Sequence, residues 1–161
     1  MAIMMVVILS LYVAGNVYIF VRMLQALSQQ CIFVRICVSL LFWFAALSLF
    51  ISFGLRHFEI SEILQRTLFV VGSSWMVFIL YMTLALIVVD LLGLLFPIKG
   101  GVWYALVLTF VLLCYGYINY RMPRAEHIEI VNDKFLHDMR IVAISDVHLG
   151  YGTTRSDLAK Y

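Results

Sequence analysis

The chain has 161 residues, of which 65% are hydrophobic and 12% are charged, and its formal net charge is +2. A soluble globular surface needs roughly a quarter of its residues charged, so this composition excludes an ordinary water-soluble fold for most of the chain. The basic residues form no stripe or patch beyond what flanks membrane helices, which excludes nucleic acid as a partner.

The charged residues are distributed unevenly. Residues 1–120 contain only eight, whereas residues 121–161 contain six basic and six acidic residues. The eight are Arg22, Arg35, Arg56, Glu59, Glu62, Arg66, Asp90 and Lys99. We therefore predict a transmembrane domain over 1–120, a linker over 121–126 and a water-facing domain that begins at 127.

Two apolar runs, 2–21 and 32–53, open the chain. Runs of about 18 or more apolar residues predict spanning helices, because the hydrocarbon core is roughly 30 Å thick and a helix rises about 1.5 Å per residue. No Lys or Arg precedes the first run and no small-x-small cleavage site follows it, so we predict a membrane helix and not a signal peptide. Asn16, beside Gly15, is more typical of helix packing than of a ligand site.

The next segment, 55–66, mixes charged residues with apolar ones, which predicts a short helix lying in the membrane interface. His57 has no second His or Cys at metal-ligand spacing, so we expect it to be solvated. Cys31, Cys37 and Cys114 form no CxxC pair and are predicted to be small, buried, reduced thiols.

A third apolar run covers 67–95 and is too long for one untilted span. The Gly72-Ser73-Ser74 group near its start is typical of helix packing or a kink, and Pro97 with Gly100-Gly101 closes the run. Asp90 is the only acidic residue in the apolar runs. An intramembrane carboxylate indicates an ion or proton pathway, but a position seven residues before Pro97 favours simple contact with the headgroup region.

The fourth run covers 102–120, and aromatic residues mark both of its ends, as expected at membrane interfaces. They are Trp103, Tyr104, Tyr115, Tyr117 and Tyr120. Four spans place both termini on one side of the membrane. The basic residues flanking the spans number four on that side (Arg56, Arg66, Arg121, Arg124) and three on the other (Arg22, Arg35, Lys99). This small excess favours a cytoplasmic carboxyl-terminal segment at the inner membrane.

The segment after the membrane exit has the pattern of a sheet. Residues 127–131 alternate polar and apolar, residues 132–134 supply turn chemistry, and residues 139–144 form a nearly all-apolar run. Asp146 and His148 follow that run. In an extended chain residues i and i+2 point the same way, so this carboxylate and this imidazole can converge on one metal ion.

The segment 140–150, RIVAISDVHLG, resembles the first motif of the calcineurin-like metallophosphoesterases, an apolar strand that ends in Asp-x-His with a glycine two residues on. Together with a multi-span region before it, the segment resembles the membrane-anchored bacterial branch of that family. The resemblance implies an α/β fold with two divalent metals (Mn, Fe, Zn or Mg), to which Asp146 and His148 would contribute ligands. The metals would activate water for attack on a phosphate ester, and a lipid-linked ester is among the substrates that a membrane anchor allows.

The resemblance covers about the last 35 residues, and the later Gly-Asp and Gly-Asn-His motifs of the family are not among the 161. Two protein ligands do not complete a catalytic centre, and His127 and His137 are expected at the surface. The expected fold is therefore mostly α, with four membrane helices followed by the first β-strands of a truncated α/β metallophosphoesterase domain that is inactive alone.

Two alternatives from other functional classes remain open. The chain could be a small four-helix membrane protein that acts by interaction and without catalysis. It could also be a transporter, for which Asp90 is the only local argument, because no repeated half and no second broken helix is visible in the sequence.

Overall fold

The computed structural model describes residues 2–58 and 60–122, and these residues form four long helices. The helices are α1 (Ala2–Ala26), α2 (Ile32–Gly54), α3 (Glu62–Leu95) and α4 (Gly101–Tyr120). Each is long and apolar enough to cross a membrane, which confirms the prediction of four long apolar helices. The strands predicted over 127–131 and 139–144, and the candidate ligands Asp146 and His148, lie outside the described residues.

The helix ends differ from the predicted ones in two places. α1 continues to Ala26, past Arg22, because that charge has a partner inside the bundle. The prediction of a separate interfacial helix over 55–66 is wrong: Leu55–His57 form a single 3-10 turn, and the helix from Glu62 onward belongs to α3. Glu62 suits that first turn, since an acidic side chain complements the positive end of the helix dipole.

The carboxyl end of α3 is set by proline and glycine, as predicted. Phe96 has extended backbone angles, φ −133° and ψ 138°, because the ring of Pro97 disfavours helical geometry in the residue before it. Gly100 then adopts a left-handed conformation with φ 73°, which glycine tolerates without steric cost. The chain reverses within five residues, and α4 starts at Gly101.

α3 is the central helix and packs against each of the other three. α1 runs parallel to it, since Asn16 bonds Trp75 and, further along both helices, Arg22 bonds Asp90. α2 and α4 run antiparallel to α3. Phe42 of α2 contacts Trp75 while Phe53, later in α2, contacts the earlier Phe69. Thr109 of α4 contacts Met82 while the earlier Gly101 lies against Val89.

This up-and-down order gives the bundle two different ends. The proximal end holds residues 55–58, residues 60–61 and Tyr120, from which Arg121 continues the chain. The distal end holds the two other connections, residues 27–31 and 96–100. A 34-residue α3 is about 51 Å long at 1.5 Å per residue, so it exceeds a hydrocarbon core of roughly 30 Å and must tilt or extend past it.

The core lies where α1, α2 and α4 meet α3. Its buried side chains are Ile19, Phe42, Ile79, Met82, Ala85, Leu86 and Ala105, and four of these seven belong to α3. Most other large apolar side chains are exposed, including nearly the whole first half of α1. Exposure of this kind suits a lipid environment, in which apolar side chains face hydrocarbon at no cost.

Candidate functional site

Two polar clusters lie among the apolar helices, and the first is centred on Asn16. The Asn16 side chain is 1% exposed; its Nδ2 donates to the backbone oxygen of Tyr12 (2.8 Å), and its Oδ1 accepts from Nε1 of Trp75 (3.0 Å). The Tyr12 hydroxyl donates in turn to the backbone oxygen of Ala46 (2.7 Å). Through these bonds the cluster links α1 to both α2 and α3.

The Asn16 cluster is a packing feature, which confirms the interpretation of Asn16 from the sequence. Asn16 uses both ends of its amide on protein partners, and the Trp75 ring also packs edge-on against Phe42 with centroids 4.9 Å apart. Interhelical hydrogen bonds of this type hold membrane helices together, at about 0.6 kcal/mol each on average. The arrangement fixes the depth of α1 relative to α3.

The second cluster, which we call the Asp90 cluster, consists of Tyr18, Arg22, Gln25 and Asp90. One Asp90 oxygen accepts a hydrogen bond from the Tyr18 hydroxyl (2.5 Å), and the other forms an ion pair with Nη2 of Arg22. Nη1 of Arg22 donates to Oε1 of Gln25 (3.1 Å). Both carboxylate oxygens are therefore occupied by groups from α1.

The Asp90 cluster lies near the distal end of the bundle. Arg22 is four residues before the end of α1 and Asp90 five before the end of α3, so both lie roughly 6 to 8 Å inside their helix ends. Their side chains are 32% and 35% exposed. This depth agrees with the interpretation that Asp90 reaches the headgroup region, and the ion pair explains the carboxylate without a transported ion.

The partner of Asp90 was not predicted from the sequence. Arg22 entered the sequence argument only as a charge flanking the first span. The only signal in the sequence was one of charge, because the single acidic residue of the apolar runs needs a cation and Arg22 directly follows the first run. That signal becomes useful only once α1 and α3 are known to be adjacent and parallel.

The other candidate residues in the described part of the chain are not brought together. His57 is exposed in the 3-10 turn, and no group of three or more His, Cys, Asp or Glu that could hold a metal occurs within 2–58 and 60–122. Cys31, Cys37 and Cys114 are free thiols. Cys37 and Cys114 are partly buried, whereas Cys31 is exposed at the distal end, contrary to the expectation of a buried thiol.

Known proteins give no assignment for this chain. No family profile, curated protein or solved structure matches it.

Proposed function

We propose that this chain is the membrane-anchoring, amino-terminal part of a calcineurin-like metallophosphoesterase of the inner membrane. The observation that carries the proposal is the segment 140–150, an apolar run that ends in Asp146-x-His148 and Leu149-Gly150. Asp-x-His alone is common by chance. Its position after such a run, shortly beyond a membrane exit and a linker, makes the pattern far more specific.

The ligand chemistry defines what the motif can contribute. A carboxylate and an imidazole are both ligands for Mn, Fe, Zn and Mg to differing degrees, so Asp146 and His148 suit one site of a two-metal centre. Such a centre activates a water molecule and neutralises charge on the leaving oxygen of a phosphate ester. It needs more ligands than these two, so the proposal requires contributions from residues outside the 161, and the chain alone is expected to be inactive.

The end of the bundle supports this proposal, because it precedes the motif by only a short stretch of sequence. α4 ends at Tyr120, where the Arg121 guanidinium stacks over the Tyr117 ring at 5.1 Å. An aromatic residue and an arginine together are typical of a membrane interface. A domain that starts a few residues later is held close to the bilayer surface. This favours a lipid-linked phosphate ester as substrate, on the cytoplasmic side if the charge count sets the orientation.

The test uses the complete protein encoded by the gene that contains these 161 codons. That protein should hydrolyse a model phosphodiester in a metal-dependent reaction, and the Asp146→Asn and His148→Ala variants should each lose at least about a hundredfold of the activity, as expected for a lost metal ligand. Matched controls are His127→Ala and His137→Ala, which should retain it. Full activity in both ligand variants would refute the assignment, as would a downstream frame without further metal-ligand motifs.

A second candidate is a membrane interaction protein without catalysis. The observation that favours it is the first half of α1, where large apolar side chains such as Ile3 (83% exposed) and Leu11 (68% exposed) have little cover from the rest of the described chain. A partner helix could pack on this face. Stable accumulation of the 161-residue product, with one membrane partner cross-linked specifically through α1, would support this candidate over the enzyme.

A further inference from the structure

A groove of about 250 Å³ opens at the distal end between the last turns of α1 and the first turns of α2. It is lined by Leu24, Ile32, Arg35, Ile36, Ser39 and Leu40. Four of these six side chains are aliphatic. The groove therefore has the character of a site for a hydrocarbon chain, with one permanent positive charge from Arg35.

Arg35 differs from the other arginine at this end of the bundle. Arg22 is paired with Asp90, whereas Arg35 has no ion pair among the described residues. The Nε atoms of both arginines are buried without a hydrogen-bond acceptor within the described part of the chain, so the difference lies in the terminal nitrogens. Nη1 and Nη2 of Arg22 donate to Gln25 and Asp90, whereas those of Arg35 have no acceptor among the described residues. A guanidinium presents five donors in a planar fork, and leaving such donors unpaired away from water is costly. The terminal nitrogens of Arg35 are not among these buried atoms, so they are accessible to an acceptor from outside the protein.

The depth of Arg35 limits what that acceptor can be. Arg35 is the fourth residue of α2, about 5 Å into the helix, which places it at the level of lipid headgroups if α2 spans the membrane. Ser39 donates its hydroxyl to the backbone oxygen of Arg35 (2.7 Å), so the guanidinium supplies the donors for a bound anion. At this level the abundant anions attached to hydrocarbon chains are phospholipid phosphates.

We propose that this groove binds an anionic phospholipid, with a headgroup phosphate on the Arg35 guanidinium and an acyl chain along Leu24, Ile36 and Leu40. Guanidinium and phosphate form charge-assisted, often bidentate hydrogen bonds, and basic pockets between membrane helices are known to hold acidic headgroups. The site lies at the opposite end of the bundle from Arg121. It does not depend on the function proposed for the segment beyond α4.

The test is native mass spectrometry of the 161-residue chain in detergent, titrated with phosphatidylglycerol or with phosphatidylcholine carrying the same acyl chains. The unmodified chain should bind phosphatidylglycerol at a lipid concentration about tenfold lower than it needs to bind phosphatidylcholine. Arg35→Gln should reduce that preference to within about twofold, and Arg35→Lys should retain part of it, because an ammonium keeps the charge but loses the fork. Arg56→Gln, which removes an exposed arginine at the proximal end, is the matched control and should change nothing.

Two further measurements separate the headgroup from the chain. Ile36→Ser should weaken the binding of both lipids by a similar factor without altering the preference for phosphatidylglycerol. Inorganic phosphate should displace neither lipid. An unchanged preference in Arg35→Gln would overturn the proposal, and so would an equal loss in Arg56→Gln or full displacement by phosphate. Circular dichroism of each variant verifies that the helices are retained. If Arg35→Gln has lost helix, Arg35→Lys takes its place: a reduced preference for phosphatidylglycerol supports the proposal, and an unchanged preference contradicts it.

Discussion

Asp90 and Arg22 bring two opposite charges into helices that are otherwise almost uncharged. A lone carboxylate at this depth would be costly, and a lone guanidinium would have to extend towards water. The ion pair with Arg22 and the hydrogen bond from Tyr18 satisfy both oxygens of the carboxylate, and both partners belong to α1. The pair thus joins the distal ends of two parallel helices that have few other polar contacts there.

The first prediction concerns this pair. Asp90→Asn or Arg22→Gln should each lower the free energy of unfolding by about 1 to 2 kcal/mol, between the values for exposed and buried pairs, because both side chains are about one third exposed (32% and 35%). Unfolding titrations with sodium dodecyl sulfate in mixed micelles measure this free energy for each variant. The double variant should lose less than the sum of the two single changes, since each single change leaves a charge without its partner. Strict additivity would mean that the two charges do not interact.

At the level of helices, close approach depends on residues without a side chain. A Cβ added to Gly72 would lie 2.3 Å from the backbone nitrogen of Leu49, a distance that real Cβ atoms do not adopt. α2 and α3 therefore touch through backbone at this point. Small residues allow such contacts, which supply van der Waals packing where lipid removes the hydrophobic drive for association.

The second prediction follows from that contact. Gly72→Ala should destabilise the bundle by about 1 to 3 kcal/mol, because the methyl group meets backbone that cannot rotate away. Gly93→Ala is the matched control in the same helix, since nothing lies within 4 Å of its added Cβ. The control should be neutral or stabilising by up to about 1 kcal/mol from helix propensity. Equal effects of the two changes would show that α2 and α3 do not approach as described.

The helices could be predicted from the sequence much better than their contacts. Membrane-spanning helices appear in the sequence as long apolar runs, because the thickness of the hydrocarbon core sets a minimum length for each helix. Pro97 marks the end of α3, because a proline disfavours helical geometry in the residue before it. The predicted end of the first span, residue 21, is five residues before the observed end of α1 at Ala26. The prediction stopped there because an arginine indicates a membrane boundary unless its partner on another helix is known, and the partner of Arg22 is Asp90. Asp146 and His148 remain predictions from the motif.

The two ends of the bundle carry different chemistry. The distal end holds the Asp90 cluster and the Arg35 groove. The proximal end holds Arg56, Arg66 and Arg121, and the chain leaves from it towards the Asp146 motif. If α1 to α4 cross the membrane, the two ends face opposite sides, and the proposed lipid site and the proposed catalytic segment lie on different membrane surfaces.

The third prediction tests this arrangement with a native residue. Cys31 is exposed at the distal end, whereas Cys37 and Cys114 lie partly buried within the helices. With the carboxyl-terminal segment in the cytoplasm, a membrane-impermeant maleimide added to intact cells should label the protein, because Cys31 then faces outward and a maleimide reacts with an accessible thiolate. Cys31→Ser should abolish the labelling and serves as the control. Labelling that requires permeabilised cells would instead place the distal end inside and Arg121 outside. That result would reverse the orientation inferred from the charge count, and it would move the proposed phosphoesterase segment to the outer face of the membrane.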